Sequence, residues 1–142
     1  MLIQGLILDI AATNPSALAR IILIDPKMGV DSASVERLPH IPGGIVVDQT
    51  RAKDELERLV GEMEHRYELF RAQGVRDLRA FNVATSPAER LPMLFLIHDE
   101  FAEWMLTEDY KEAVAVNVQR LGVKARAAGI HLIFAAQRPD VN

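Results

Sequence analysis

MLFLIHDE, Met93 to Glu100, is the stretch on which the reading of this chain turns. Met93 to Ile97 is an uninterrupted apolar run, too short for a core helix and too uniformly apolar for a half-exposed strand. It therefore predicts a strand buried on both faces, as in a parallel sheet covered by helices. The run stops at His98-Asp99-Glu100, so two adjacent carboxylates stand at the carboxyl end of a core strand. Open parallel sheets bind ligands at that end. A strand-end aspartate can accept a hydrogen bond from magnesium-bound water, and the following glutamate can polarise an attacking water, which is the chemistry of nucleotide hydrolysis. The same pattern fits a solvated acidic pair opening a loop, and the eight residues alone do not separate the two.

On either side of this run, ARIILI (Ala19 to Ile24), IVV (Ile45 to Val47) and IHLIFA (Ile130 to Ala135) read as further short strands. The first ends at Asp25-Pro26-Lys27 and the last runs into Gln137-Arg138. Helical spacing fills the intervals. Leu2, Ile3, Leu6, Ile7 and Ile10 form a stripe over Met1 to Ala12, ended by Asn14-Pro15. A short helix is expected around Ser34 to Leu38. Leu56, Leu59, Val60, Met63, Tyr67 and Phe70 share one face of a long helix from Thr50 that stops near Gly74. Thr85 to Pro92 reads as a polar loop. Asp109 to Ala128 reads as one helix with Arg120, Lys124 and Arg126 on its polar side. Strands alternating with helices predict the α/β class with right-handed parallel crossovers.

The 142 residues amount to about one domain's length, with 49% hydrophobic and 25% charged residues, enough apolar material for a core. Sixteen basic against twenty acidic residues give a net charge of −4, which argues against a uniformly basic nucleic-acid-coating domain. Cysteine is absent, removing disulfides, thiolate metal sites and cysteine nucleophiles. No apolar stretch approaches the ~20 residues a membrane span needs, and Asp9 interrupts the first apolar run, so a cytoplasmic chain is expected. His40, His65, His98 and His131 show no metal-ligand spacing, and there is no G-x-S-x-G elbow. Phe70, Phe81, Phe95, Phe101, Trp104 and Phe134 fall on apolar stripes and are expected in the core.

Four blocks in order carry a family resemblance: LIDPK (Leu23 to Lys27), EMEHRYELF followed by GVRDLRAFN (Glu62 to Asn82), LPMLFLIHDEFAEWM (Leu91 to Met105) and KARAAGIHLIFAAQRP (Lys124 to Pro139). Together they resemble the motor domain of the FtsK/SpoIIIE family of DNA translocases, from about residue 20 to the C-terminus. The resemblance implies a RecA-like three-layer sandwich, a mainly parallel sheet with helices on both faces, and residues 1–142 as a partial motor domain. It implies ATP hydrolysis with Mg2+, double-stranded DNA as partner, and a hexameric ring as the working form. By the same resemblance Asp99 matches the Walker B aspartate that holds the metal shell. Glu100 matches the catalytic base, and Gln137 the polar sensor of the terminal phosphate. Leu106 to Glu112 corresponds to a pore-facing loop, although LTEDYKE is acidic for a segment that tracks phosphates. For Asp25 and Lys27 the expected role is shaping the site only.

A phosphate-binding loop, G-x-x-x-x-G-K-[ST], is missing from this sequence: none of its eight glycines is followed by lysine. In the family that loop precedes a helix of the Leu2 to Ala12 kind, so the sequence is expected to begin inside that helix and to stop early after Gln-Arg-Pro. The resemblance then makes IHLIFA an edge strand that has lost a neighbour. Two functional readings follow. One is the Walker B and sensor half of an ATP-dependent DNA translocase; the other is a non-catalytic RecA-like module that assembles with other subunits. Retention of both Asp99 and Glu100 favours the first, and absence of the loop favours the second for the chain as given.

Overall fold

The computed structural model describes residues 2–136. In chain order the elements are α1 (Leu2–Thr13), β1 (Ala19–Ile24), α2 (Val30–Val35), β2 (Ile45–Val46), α3 (Gln49–Gln73), α4 (Leu78–Ala84), β3 (Met93–His98), α5 (Phe101–Trp104), α6 (Glu108–Leu121), α7 (Lys124–Ala127) and β4 (Ile130–Phe134). The four strands form one parallel sheet in the order β2-β1-β3-β4. Within it β1 and β3 run in register from Ala19 opposite Met93 to Ile24 opposite His98. Among the described residues β4 pairs with β3 alone, so it is an edge strand as expected.

Because successive strand residues point to opposite faces, each central strand feeds two cores. Ile21, Leu23 and Ile97 pack with Ile7 and Ile10 of α1 and Val35 of α2. Ile24 and Leu96 pack with Leu56, Leu59, Val60 and Phe70 of α3 and with Tyr110, Val114 and Leu121 of α6. That is the three-layer α/β sandwich. Asp48 caps α3 by accepting the Arg51 backbone N–H at 2.8 Å, and Gly74, at φ 69°, closes it in the left-handed conformation glycine favours.

Several elements differ from the sequence reading. The expected helix from Asp109 to Ala128 is two helices, because Gly122 adopts φ 49° and ψ −148° and breaks the ladder. Arg120 therefore lies on a different helix from Lys124 and Arg126, and pairs instead with Glu64 of α3 at 3.5 Å. The short helix near Ser34 lies earlier, at Val30–Val35. Helix α4 has only Leu78 and Phe81 buried, too few for a readable stripe; its signal is Asp77, which caps it by accepting from the Ala80 N–H at 2.8 Å. One 3-10 turn, Pro87–Glu89, interrupts the expected loop.

Strand β3 is fully buried only in its second half, at Leu96, Ile97 and His98. Its first residues are half-buried because they open onto clefts: Met93 onto a cavity of about 870 Å3 shared with Leu78, Leu91 and His131, and Leu94 onto one of about 440 Å3. Arg66 ties the layers on this side. Its guanidinium is 1% exposed, bonds Glu62 at 2.7 Å and donates to the Ala128 carbonyl at 2.8 Å, locking α3 to the turn that launches β4.

Candidate active site

Strand register brings the Asp25-Pro26-Lys27 turn beside His98-Asp99-Glu100. The Asp99 N–H donates to the Ile24 carbonyl at 2.8 Å, and the Ala135 N–H donates to the His98 carbonyl at 2.9 Å, so the acidic pair is anchored between β1 and β4. Asp25 is 2% exposed, and its carboxylate accepts backbone N–H bonds from Lys27 at 3.1 Å and Gly29 at 2.8 Å. A buried acid satisfied by two amides is a turn-former.

Asp99 and Glu100 are both half-buried. Glu100 sits at φ 49°, and Met28 in the facing turn at φ 47°; among the described residues these are the only non-glycine positions with positive φ. Such conformations cost about 1–3 kcal/mol each and concentrate at functional sites. Oε2 of Glu100 is buried without a hydrogen bond, and Lys27 Nζ lies 3.6 Å from it. The same ammonium is 3.7 Å from Glu103 at the start of α5.

Beneath the pair, His98 is fully buried among Phe101, Trp104, Tyr110 and Phe134, with ring centroids 5.5 to 6.2 Å away. Nδ1 lies 3.1 Å from the Asp99 carbonyl and Nε2 lies 2.6 Å from the Tyr110 hydroxyl. A carbonyl only accepts, so Nδ1 carries the proton and Nε2 accepts from Tyr110. Burial holds the imidazole below its ordinary pKa, the bond to Asp99 opposing it, and pushes the Tyr110 hydroxyl up. His98 is thus a neutral strut under the acidic pair.

Asp99 and Glu100 directly follow His98, the last residue of β3; Gln137 and Arg138 lie outside the described residues. The histidines stay apart, His40 for instance hydrogen-bonding the Asn14 carbonyl at 2.6 Å, and among the described residues no group of three metal-capable side chains forms. Sequence reasoning missed the contact of Lys27 with Glu100. The available signal was that Lys27 and Glu100 each follow the end of an apolar strand run. Size does not mark this site: the 870 Å3 cavity lies at the opposite, amino ends of β3 and β4.

Parallel strands covered on both faces, with an acidic pair at the carboxyl end of a central one, make an α/β sandwich of the RecA-like kind. The cytoplasmic domain of the Type VII secretion ATPase EccC from Thermomonospora curvata superposes with a TM-score of 0.72 at 28% identity, over 98% of this chain and 17% of that one. The cytoplasmic domain of EssC gives 0.76 at 18% identity, over 99% and 27%, a likeness of fold alone. The FtsK/SpoIIIE family model matches residues 1–141, and the chain belongs to that family. It is 43% identical to the DNA translocase SftA of Bacillus subtilis over 128 residues, and 35% identical to DNA translocase FtsK 1 of Neisseria meningitidis serogroup A over 161 aligned positions. It covers 13% and 20% of those relatives, and they cover 87% and 99% of it. No helix among the described residues is long and apolar enough to cross a membrane.

Proposed function

We propose that this chain carries the hydrolytic half of the ATP site of a double-stranded DNA translocase motor. Asp99 holds the metal shell, Glu100 acts as the general base, and Gln137 senses the terminal phosphate. The observation that carries the reading is the placement of Asp99 and Glu100 together at the carboxyl end of β3, with Glu100 in a strained left-handed conformation and one carboxylate oxygen buried without a hydrogen bond. The two relatives, both DNA translocases, support the substrate.

The donor set fits magnesium. That ion keeps several waters and takes one or two carboxylates together with phosphate oxygens, so a third metal-capable side chain is not needed. Bound magnesium nucleotide would supply charge neutralisation at the phosphates being cleaved. The chain's own residues do the rest: Asp99 offers an acceptor to metal-bound water, Glu100 takes the proton of the attacking water, and the amide of Gln137 hydrogen-bonds phosphate without competing for the metal. The cradle for the other phosphates is not encoded in these 142 residues, since no G-x-x-x-x-G-K-[ST] occurs. A ring of six subunits acting on DNA completes the reading, as does a cytoplasmic location.

The test is E100Q in the whole translocase. Loss of a general base predicts a fall in ATP turnover of about 10²- to 10⁴-fold with nucleotide binding retained. Turnover at the parent rate removes Glu100 from this role.

A further inference from the structure

We propose that Lys27 is a positioning residue for Glu100, its ammonium orienting the carboxylate toward the water it activates. The inference rests on the reading of Glu100 as the base. Four observations lead to it. The buried Oε2 of Glu100 has no hydrogen bond among the described residues, and Lys27 is the ion-pair partner found there, 3.6 Å from it. The backbone of Lys27 is placed: the buried Asp25 carboxylate accepts its N–H and that of Gly29, so the turn after β1 is held where this side chain reaches Glu100. Met28 and Glu100, the two positive-φ non-glycine residues among those described, stand one in each of these two turns.

The fourth is a contrast in exposure. Lys27 also reaches Glu103 at 3.7 Å, but Glu103 is 62% exposed and Glu100 only 20%. Water screens the outer pair far more strongly than the inner one. The ammonium therefore interacts more strongly with Glu100, whose buried oxygen has no hydrogen bond among the described residues. A carboxylate whose buried oxygen has no hydrogen bond among the described residues is held by packing and by the ammonium alone. One point charge beside Oε2 favours a single orientation without consuming the second oxygen, which stays available to water.

Steady-state ATP hydrolysis by the whole translocase on DNA, with Mg-ATP titrated, tests this in K27M, K27R and E100Q. Lys27 is 61% exposed, so its replacement leaves the core intact. A misplaced base costs turnover and not binding, so K27M is expected to lower kcat about 10- to 100-fold with KM for ATP within about threefold of the parent, and K27R to recover most of kcat. Unchanged kcat in K27M overturns the proposal. So does a raised KM with kcat intact, which makes Lys27 a nucleotide contact, and so does a loss of kcat that K27R fails to recover. E100Q separates the two levels: if it turns over ATP like the parent, the reading of Glu100 falls, whereas an inactive E100Q beside a fully active K27M removes only the role of Lys27.

Discussion

Tyr110 of α6 donates its hydroxyl proton to Nε2 of His98 across 2.6 Å, inside a pocket where both residues are 0% exposed. The bond joins the helix layer to the last residue of β3, and so fixes the strand end that carries Asp99. Tyr110→Phe keeps the ring and strands one buried imidazole nitrogen. It is expected to destabilise the fold by about 1–3 kcal/mol, read from the urea midpoint. A loss below about 0.5 kcal/mol removes this bond as an anchor of the strand end.

Two glycines predict opposite signs. Gly61 lies inside α3 with open space within 4 Å of the point where an alanine Cβ would stand, so Gly61→Ala should stabilise by about 0.5–1 kcal/mol through helix propensity. At Gly129 the backbone has φ +80°, and a Cβ would overlap Leu78 Cδ2 and fall 3.3 Å from Arg66 Nη1. Gly129→Ala is expected to cost at least about 2 kcal/mol, from left-handed strain and overpacking together. Thermal melts of the two variants should move in opposite directions; a shared direction contradicts the geometry.

His131 of β4 stacks on Phe95 with centroids 5.1 Å apart and planes 22° from parallel. Burial, and then the Arg126 guanidinium, hold its imidazole below the ordinary 6.5. Arg79, Arg90 and Asp77 line the same cavity, so with Arg126 three cations face one acid. The unfolded chain therefore takes up this proton at higher pH than the folded one. The stability it contributes is complete above about pH 6.5 and is lost as pH falls through that value toward the lower folded one. Urea unfolding between about pH 7.5 and 5 should show that decline, with a shallower slope in His131→Gln; equal slopes would exclude His131 as a source.

The class of fold was legible in the sequence because its determinants are local. Apolar runs at Ala19 to Ile24, Met93 to Ile97 and Ile130 to Phe134 mark the buried strands, and the helix of Leu56 to Phe70 shows its stripe by spacing alone. The acidic pair was legible too, since Asp99 and Glu100 are neighbours in the chain and directly follow a strand. Less could be read where one residue decides conformation. Nothing in the periodicity of Asp109 to Ala128 shows that Gly122 breaks it, because the apolar spacing continues across the break.

Residue order thus dictates an alternating α/β chain with two carboxylates at a strand end and no phosphate loop of its own. What those carboxylates face is a matter of packing. The contact between Lys27 and Glu100 depends on β1 lying beside β3 in register, with Ile24 opposite His98, and on Asp25 bending the turn between two amides. His98 is likewise a buried neutral strut only because α6 brings Tyr110 beneath it. Hydrophobic spacing is written along the chain, whereas ion pairs and buried hydrogen bonds across elements exist only once packing has fixed the register.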